Sequence, residues 1–263
     1  MRYTEATNLF IQSSWFTTLA SKTQADYLYY MDYMGDLLPT TISKVTPLLA
    51  DNIYSKVKKQ RGERTAIYVC SVMRRLWNFL YRAEKVKSLP WSNMGIKQDL
   101  KPRTVKWMPE DVKKIIQQAM QDGHISLALF VALLYDTAQR PSDILSLTWD
   151  NILDDEFLTL TQSKTGVIIT VPLRETSKKL LEKQKKNIKW VIPTKTGCKY
   201  HLTNMNKEFN MVKKSAGVSS ELQLRDLRRT ALTELGDAGA TEDEIMAVSG
   251  HKSRQVLSVY VKK

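Results

Sequence analysis

The stretch DDEFLTLTQSKTGVIITVPL, residues 154–173, decides the fold class because its pattern differs from that of the sequence around it. Leu158 and Leu160 alternate with threonines, which is the period of two of a half-buried strand. A Lys-Thr-Gly turn and the β-branched run 167–171 follow, and together they predict a β-hairpin. Because the flanking sequence is helical in pattern, we predict a mainly α fold with one small β-sheet, an α+β class.

Helical patterns continue on both sides of this hairpin. Upstream, a helix begins at Pro109, since proline suits the first helical position. Residues 125–138 form a more apolar, buried helix, and Arg140 ends it because the residue before a proline disfavours helical geometry. A fresh helix starts at Pro141. Downstream, helical patterns cover residues 175–186, 205–217, 224–239 and 242–251.

Residues 1–90 predict a separate all-helical module. One helix follows Ser21 or Thr23, and a second is capped by Thr46 and begins at Pro47. A third covers residues 63–86. Its apolar face carries Val69, Met73, Leu76, Trp77 and Leu80.

Residues 88–107 lack helical periodicity and contain prolines, a glycine and several basic side chains. We therefore predict a helical domain at 1–90, a basic linker at 91–107 and a second domain at 108–263. The charge of Lys101, Arg103 and Lys106 would suit a strap along a DNA backbone, and an ordinary connector is the alternative.

The chain is strongly basic, since its 263 residues carry 40 lysines and arginines against 27 acidic residues, a net charge of +13. Such an excess indicates a polyanionic partner, of which nucleic acid is the commonest. Surplus surface lysine is the alternative. The longest apolar run, 125–135, is about half the roughly 20 residues of a membrane-spanning helix, so we expect no membrane partner.

Metal and disulfide sites are not indicated. Cys70 and Cys198 lack metal-ligand spacing, which favours a reducing cytoplasm over a disulfide framework or a zinc site. The acidic residues within 150–156 could serve a metal nuclease, but their place in a turn before a strand favours a solvated loop. We therefore expect no metal ion and no cofactor.

Charged residues near the hairpin are candidates for an anion site. Arg140 precedes a helix that begins with proline, and the free N–H groups of a helix start favour an anion. Asp143 could hold the guanidinium of Arg140 by a bidentate pair, and Lys164 lies at the hairpin tip. Taken singly, each has a simpler structural explanation, such as an internal ion pair or a turn.

The C-terminal helices carry further candidates. Arg225 and Arg228 lie three apart on one helix, so we expect them to share a face. His251 follows a glycine at a helix end, and Tyr260 lies close to the C-terminus. The simpler explanation for the two arginines is charge balance against neighbouring acids. For His251 it is a helix cap, and for Tyr260 a place in the core.

As a set, these residues resemble the tyrosine recombinase (phage integrase) family. TAQRPSDILSLTWDNI at 137–152 resembles the first arginine box of the family, and TQSKTGVIITVPL at 161–173 resembles its hairpin lysine segment. Residues 222–260 resemble its second box, through a Gly-His pair to the nucleophile. The resemblance covers about residues 108–260, and the helices before it resemble more loosely the family's core-binding domain. It implies a helical core-binding domain joined to a tyrosine-recombinase catalytic domain.

The resemblance implies a role for each catalytic candidate. Arg140 and Arg228 would grip the non-bridging oxygens of the scissile phosphate, and Tyr260 would be the nucleophile. Lys164 would protonate the departing 5′ oxygen. His251 would hydrogen-bond the phosphate or the tyrosine.

The sequence also departs from the family pattern. Asp143 matches the acidic position that orients the first arginine, but Arg225 stands where the second box usually has histidine. Arginine keeps its proton, so Arg225 can donate hydrogen bonds but cannot act as a base. His251 becomes the leading candidate base, with a phosphate oxygen or water behind it. Residues 261–263 are the only ones after Tyr260, whereas many members have a longer tail that docks on a neighbouring protomer.

The implied function is that of a site-specific DNA recombinase, an integrase that cleaves and rejoins strands through a 3′-phosphotyrosine intermediate. It would integrate or excise a phage or mobile element as a homotetramer on two double-stranded DNA sites, in the cytoplasm of a bacterial host. DNA-bending accessory proteins are a further possible partner. A type IB topoisomerase-like enzyme and a non-catalytic DNA-binding relative are the alternatives to this function.

In the first domain, Arg74, Arg75 and Arg82 lie off the apolar stripe and form either a DNA-facing or a solvated face.

Overall fold

The computed structural model describes residues 1–96 and 103–253. The chain divides between residues 102 and 103 into two compact units. Both are built mainly from helices, and the second carries a small antiparallel sheet. This confirms the predicted mixture of elements. No helix within the two described ranges is long and apolar enough to cross a membrane.

The first unit is helical. Its helices are α1 (Tyr3–Ile11), α2 (Ser14–Thr17), α3 (Ser21–Gly35), α4 (Pro47–Arg61) and α5 (Glu63–Arg82). Thr46 caps α4 as predicted, since its hydroxyl accepts a hydrogen bond from the Leu49 N–H at 3.2 Å. Helix α5 ends at Arg82 rather than at residue 86, and Glu84 beyond it takes a left-handed backbone with φ of 57°.

The predicted apolar face of α5 forms the core of this unit, and all of its residues are buried. Trp91 is also fully buried and packs edge-on against Trp77, with ring centroids 5.8 Å apart. The Asp51 carboxylate accepts hydrogen bonds from the backbone N–H groups of Gly95 and Ile96. Residues 91–96, which the sequence assigns to the linker, therefore lie against the first unit because the Trp91 indole gains free energy by burial.

The second unit surrounds one apolar helix. Its helices are α6 (Pro109–Gln121), α7 (Ile125–Thr137), α8 (Pro141–Ile144), α9 (Glu175–Leu181), α10 (Leu202–Ser215), α11 (Leu224–Asp237) and α12 (Glu242–Ser249). Its strands are β1 (Ile152–Leu153), β2 (Phe157–Thr161) and β3 (Ile168–Pro172). Side chains 127–134 of α7 are all buried, as the apolar run predicts. Helix α9 is shorter than predicted, because the chain after it is irregular and packs Val191 and Ile192 into the core.

The strands pair antiparallel in the order β1-β2-β3. In the predicted β2–β3 hairpin, Leu158 pairs with Val171 and Leu160 pairs with Ile169. These side chains are buried, so the hairpin and its alternation are confirmed. The hairpin turn at 163–166 lies beyond the paired strands.

The chain enters the second unit along α11. The Arg103 Nε lies 2.9 and 3.0 Å from the two carboxylate oxygens of Asp226. Trp107 is buried, and its backbone N–H donates to the Thr230 hydroxyl at 2.9 Å. Residues 103–107, also assigned to the linker, are therefore packed on this unit. The bounds of the functional domains stay a prediction.

Candidate active site

Arg228 joins the ends of two helices. Its side chain is buried, and Nη1 donates to the carbonyl of Ala138 at 2.7 Å, just beyond α7. Its Nη2 donates to the carbonyl of Ser249, the last residue of α12, also at 2.7 Å. Carbonyls at helix ends carry partial negative charge, so they stabilise the guanidinium without neutralising it. The guanidinium therefore keeps its full positive charge between these two helix ends.

His251 lies beside this guanidinium. Gly250, at φ of 66°, ends α12 in the left-handed conformation and turns the chain toward Arg228. The Nε2 of His251 lies 3.4 Å from Arg228 Nη2, and its Nδ1 lies 2.8 Å from the Ser249 hydroxyl. Burial, with the charges of Arg228 and Arg140, lowers the pKa of His251 to about 4. Its ring is therefore neutral at physiological pH.

Arg140 approaches the same place from the N-terminus of α8. Its Nη1 donates to Gln162 Oε1 at 2.8 Å and lies 3.8 Å from Asp143 Oδ2. The other Asp143 oxygen accepts hydrogen bonds from the backbone N–H and the hydroxyl of Ser163. The predicted bidentate pair is therefore not formed: Asp143 and Arg140 make a single longer ion pair, because the other carboxylate oxygen is bonded to the hairpin turn.

A buried pair of glutamines links these parts, and neither glutamine was among the site residues predicted from the sequence. Gln162 is fully buried, and its Nε2 donates to Gln139 Oε1 at 2.7 Å and to the Ser249 carbonyl at 2.8 Å. Gln139 Nε2 donates in turn to the carbonyls of Thr137 and Val248. The one signal in the sequence is that each glutamine adjoins an element that carries a candidate residue.

Lys164 is exposed in the hairpin turn, between Ser163 and Thr165. This is the position at the tip that the sequence predicts. Arg225 is exposed in the first turn of α11, whereas Arg228 one turn later is buried. The two arginines therefore differ in environment, although the spacing predicts a shared face. Arg225 lines an open hollow together with Pro141, beside the start of α8.

The structure thus brings together Arg140, Asp143, Arg228 and His251, with the Lys164 turn attached to them. Tyr260 and Lys101 lie outside the described residues. The assigned catalytic roles stay predictions.

The suggested DNA-contacting arginines of α5 have neighbours within the first unit. Arg74 Nε donates to the Trp91 carbonyl at 3.3 Å, and Arg75 Nη2 donates to the Trp15 carbonyl at 2.9 Å. The guanidinium of Arg82, which is exposed, lies 5.8 Å from the centre of the Trp15 ring. Their part in DNA contact stays a prediction.

Several charged side chains of the second unit form ion pairs with one another. Arg103 is bonded to Asp226, and Lys106 lies 3.6 Å from Asp237. In the acidic run, Asp155 pairs with Lys186, and Glu156 pairs with a lysine of α9. Among the residues described, no group of histidine, cysteine and acidic side chains could hold a metal ion.

Several solved structures share this fold. A lambda integrase dimer bound to a COC′ core site matches with a TM-score of 0.80 and 19% identity, over 96% of this chain and 94% of that chain. The Tn1549 transposon integrase in complex with circular intermediate DNA matches with a TM-score of 0.82 and 13% identity, over 100% of this chain and 96% of that chain. A lambda integrase tetramer bound to a Holliday junction matches with a TM-score of 0.77 and 19% identity, over 92% of this chain and 77% of that chain.

No curated protein matches the sequence of this chain at a significant level. The family model described as "Phage integrase family" matches residues 106–263, which contain every one of the predicted catalytic residues. The chain therefore belongs to the phage integrase family.

Proposed function

We propose that this chain is a site-specific DNA recombinase that cleaves and rejoins DNA strands through Tyr260. The observation that carries the proposal is the convergence of Arg140, Arg228 and a neutral His251 at one place. A phosphodiester is an anion, and its transition state gathers charge on the equatorial oxygens. Fixed guanidinium groups stabilise that charge, and the loss of one such donor typically costs about a hundred- to a thousand-fold in rate.

The chemical step conserves the phosphate ester. The Tyr260 phenol oxygen attacks phosphorus, a bond from phosphorus to the phenol oxygen forms, and the bond from phosphorus to the 5′ oxygen breaks. Lys164 donates a proton to the departing 5′ oxygen, which leaves a free 5′-hydroxyl and a 3′-phosphotyrosine. A 5′-hydroxyl from a partner strand then reverses the step, so the proposed reaction needs neither ATP nor a metal ion.

His251 is the proposed acceptor of the phenol proton. Its ring is neutral, so one of its nitrogens carries no proton and can accept one. A guanidinium has no acceptor atom, so Arg225 can act only as a donor or as a positive charge. A phenol has a pKa of about 10, so nearby cations assist its ionisation.

The proposed partners are DNA and further copies of the chain. The net charge of +13 suits the DNA backbone. The related lambda integrase has been solved as a tetramer on a Holliday junction, and we propose a tetramer on two DNA sites here. The biological setting that we propose is integration or excision of a phage or mobile element in a bacterial cytoplasm, with help from DNA-bending proteins.

Formation of a covalent adduct tests the proposal. Purified protein is mixed with nicked duplexes tiled across the DNA on either side of its own coding sequence, without added metal. Denaturing gels should show a protein–DNA adduct that Tyr260→Phe abolishes, while both proteins bind the duplex equally in a gel-shift assay.

The alternatives give different outcomes. A duplex that both proteins bind with no adduct from either would support a non-catalytic DNA-binding relative. An adduct with relaxation of supercoiled plasmid but no strand exchange between two sites would support a topoisomerase-like enzyme.

A further inference from the structure

Both polar atoms of the Gln162 side chain form hydrogen bonds. Its Oε1 accepts from Arg140 Nη1 at 2.8 Å and from the Thr165 hydroxyl at 2.7 Å. Its Nε2 donates to Gln139 Oε1 and to the Ser249 carbonyl. An amide can accept two and donate two hydrogen bonds, so this buried group is fully satisfied.

These bonds fix which way the amide faces. The Ser249 carbonyl can only accept, so it requires the NH₂ group of Gln162 on its side. The guanidinium of Arg140 can only donate, so it requires the oxygen. A glutamate would lose both donors, and a methionine of similar shape would lose every one of these bonds.

The same residue closes the turn that carries Lys164. The Gln162 backbone N–H donates to the Val167 carbonyl at 2.8 Å, and its carbonyl accepts from the Gly166 N–H at 2.9 Å. Ser163, on one side of Lys164, is tied to Asp143. Thr165, on the other side, is tied to Gln162. Both neighbours of the lysine are therefore anchored to groups that contact Arg140.

We infer that Gln162 is a positioning residue that sets the Lys164 turn against Arg140 and the end of α12. This inference rests on the proposed function, since it assigns Gln162 a part in placing the proton donor relative to the scissile phosphate. Gln162 itself touches no reacting atom in this scheme. Its loss should displace the lysine while DNA binding is kept.

The test compares DNA with an ordinary 5′ oxygen and DNA in which sulfur replaces the bridging 5′ oxygen at the cleaved phosphate. A thiolate leaves without protonation because a thiol has a pKa of about 8.5, so the sulfur substrate does not need Lys164. The substrate is the duplex that gives an adduct with the unaltered protein. Single-turnover cleavage rates are measured for Gln162→Met, Thr165→Val and Lys164→Ala.

The matched control is Thr159→Val, which removes the hydroxyl pair between Thr159 and Thr170 on the exposed face of the same hairpin. We expect Gln162→Met to slow cleavage of ordinary DNA about 10- to 100-fold, as expected for a misplaced catalytic group. Sulfur DNA should recover most of that loss, and we expect the same recovery for Lys164→Ala. Thr165→Val should show the same pattern with a smaller loss, and Thr159→Val should cleave both substrates at the unaltered rate.

Two results would overturn the inference. One is cleavage of ordinary DNA by Gln162→Met at the unaltered rate. The other is an equal loss on both substrates, which would limit Gln162 to the support of Arg140. If Gln162→Met does not fold, Thr165→Val decides, because it removes one hydrogen bond outside the core. Absence of an adduct from the unaltered protein would instead contradict the proposed function.

Discussion

Gly250 lies so close to the side chain of Gln162 that a Cβ built on the glycine would come within 2.5 Å of Gln162 Oε1 and 2.6 Å of its Nε2. The same glycine has φ of 66°, a backbone conformation that residues other than glycine rarely adopt. Backbone conformation and close approach therefore both require glycine at the residue before His251. The end of α12 and the hairpin fit together only because this position has no side chain.

Gly250→Ala should destabilise the protein and impair cleavage. The left-handed conformation costs about 1–2 kcal/mol for alanine, and the overlap with the Gln162 amide adds to it. We expect a lower midpoint of thermal unfolding and a cleavage rate reduced about ten-fold or more, since the displaced amide also holds Arg140.

Gly239→Ala is the matched control for this change. Gly239 also has positive φ, 89°, but a Cβ there meets no atom within 4 Å. It should therefore show the conformational cost alone and keep its cleavage rate. Equal effects of the two substitutions on cleavage would contradict the importance of the Gly250–Gln162 contact.

The stability of the second unit should depend on pH through His251. Its pKa is lowered from 6.5 to about 4 in the folded chain. Between these values the unfolded chain binds a proton that the folded chain does not, so the free energy of unfolding falls as the pH is lowered from 6.5 to 4. Because the ring is only partly buried, we expect this residue to account for about 2 kcal/mol of that fall.

His251→Asn should remove this part of the pH dependence and give a flatter curve over the same window. An NMR titration of the unaltered protein checks the pKa directly. The chain has only three histidines, so the variant identifies the His251 signal. A His251 midpoint near 6.5 would show that the ring is not held beside the two arginines.

Arg225 and Arg228 should differ in their effect on stability. Arg228→Leu removes hydrogen bonds from a buried cation to the Ala138 and Ser249 carbonyls, and we expect a loss of about 2–4 kcal/mol. Arg225 is exposed, so Arg225→Ala should change the free energy of unfolding by less than about 0.5 kcal/mol. Calorimetry of the two variants measures the difference, and equal losses would mean that Arg225 is also built into the fold.

Arg103 should matter for folding rather than for DNA affinity. Its guanidinium is bonded to the buried Asp226 carboxylate and to the Glu221 carbonyl. Arg103→Gln should raise the hydrogen-exchange rate in the first turn of α11 about ten-fold or more, because it leaves Asp226 without its cation. The slope of log Kd against log salt for DNA binding should stay unchanged. A slope smaller by about one would instead show a phosphate contact.

Much of the second unit could be predicted because its signals are local. The alternation at Leu158 and Leu160 predicts the hairpin, and the apolar run 125–135 predicts α7. Helix α9 ends early because Val191 and Ile192 are drawn into the core, which is a tertiary effect. The two-residue strand β1 has too few residues to show a period.

The candidate site was predictable only in part. Arg140, Lys164, Arg228 and His251 come from a family resemblance, which fixes residue types along the chain. Gln162 is recognisable only once the hairpin lies against the end of α12, because its partners are up to 87 residues away in sequence. The different burial of Arg225 and Arg228 likewise depends on packing around α11, since both lie on the same helix.

The central claim is that the arginine and histidine cluster acts on a phosphate that becomes joined to Tyr260. The most direct measurement locates that bond: the covalent adduct is treated with nuclease and trypsin, and the modified peptide is sequenced by mass spectrometry. The proposal predicts a nucleotide on Tyr260 within the peptide 255–262, which trypsin releases by cleaving after Arg254 and Lys262. A nucleotide on any other residue, or an adduct that persists in Tyr260→Phe, would contradict it.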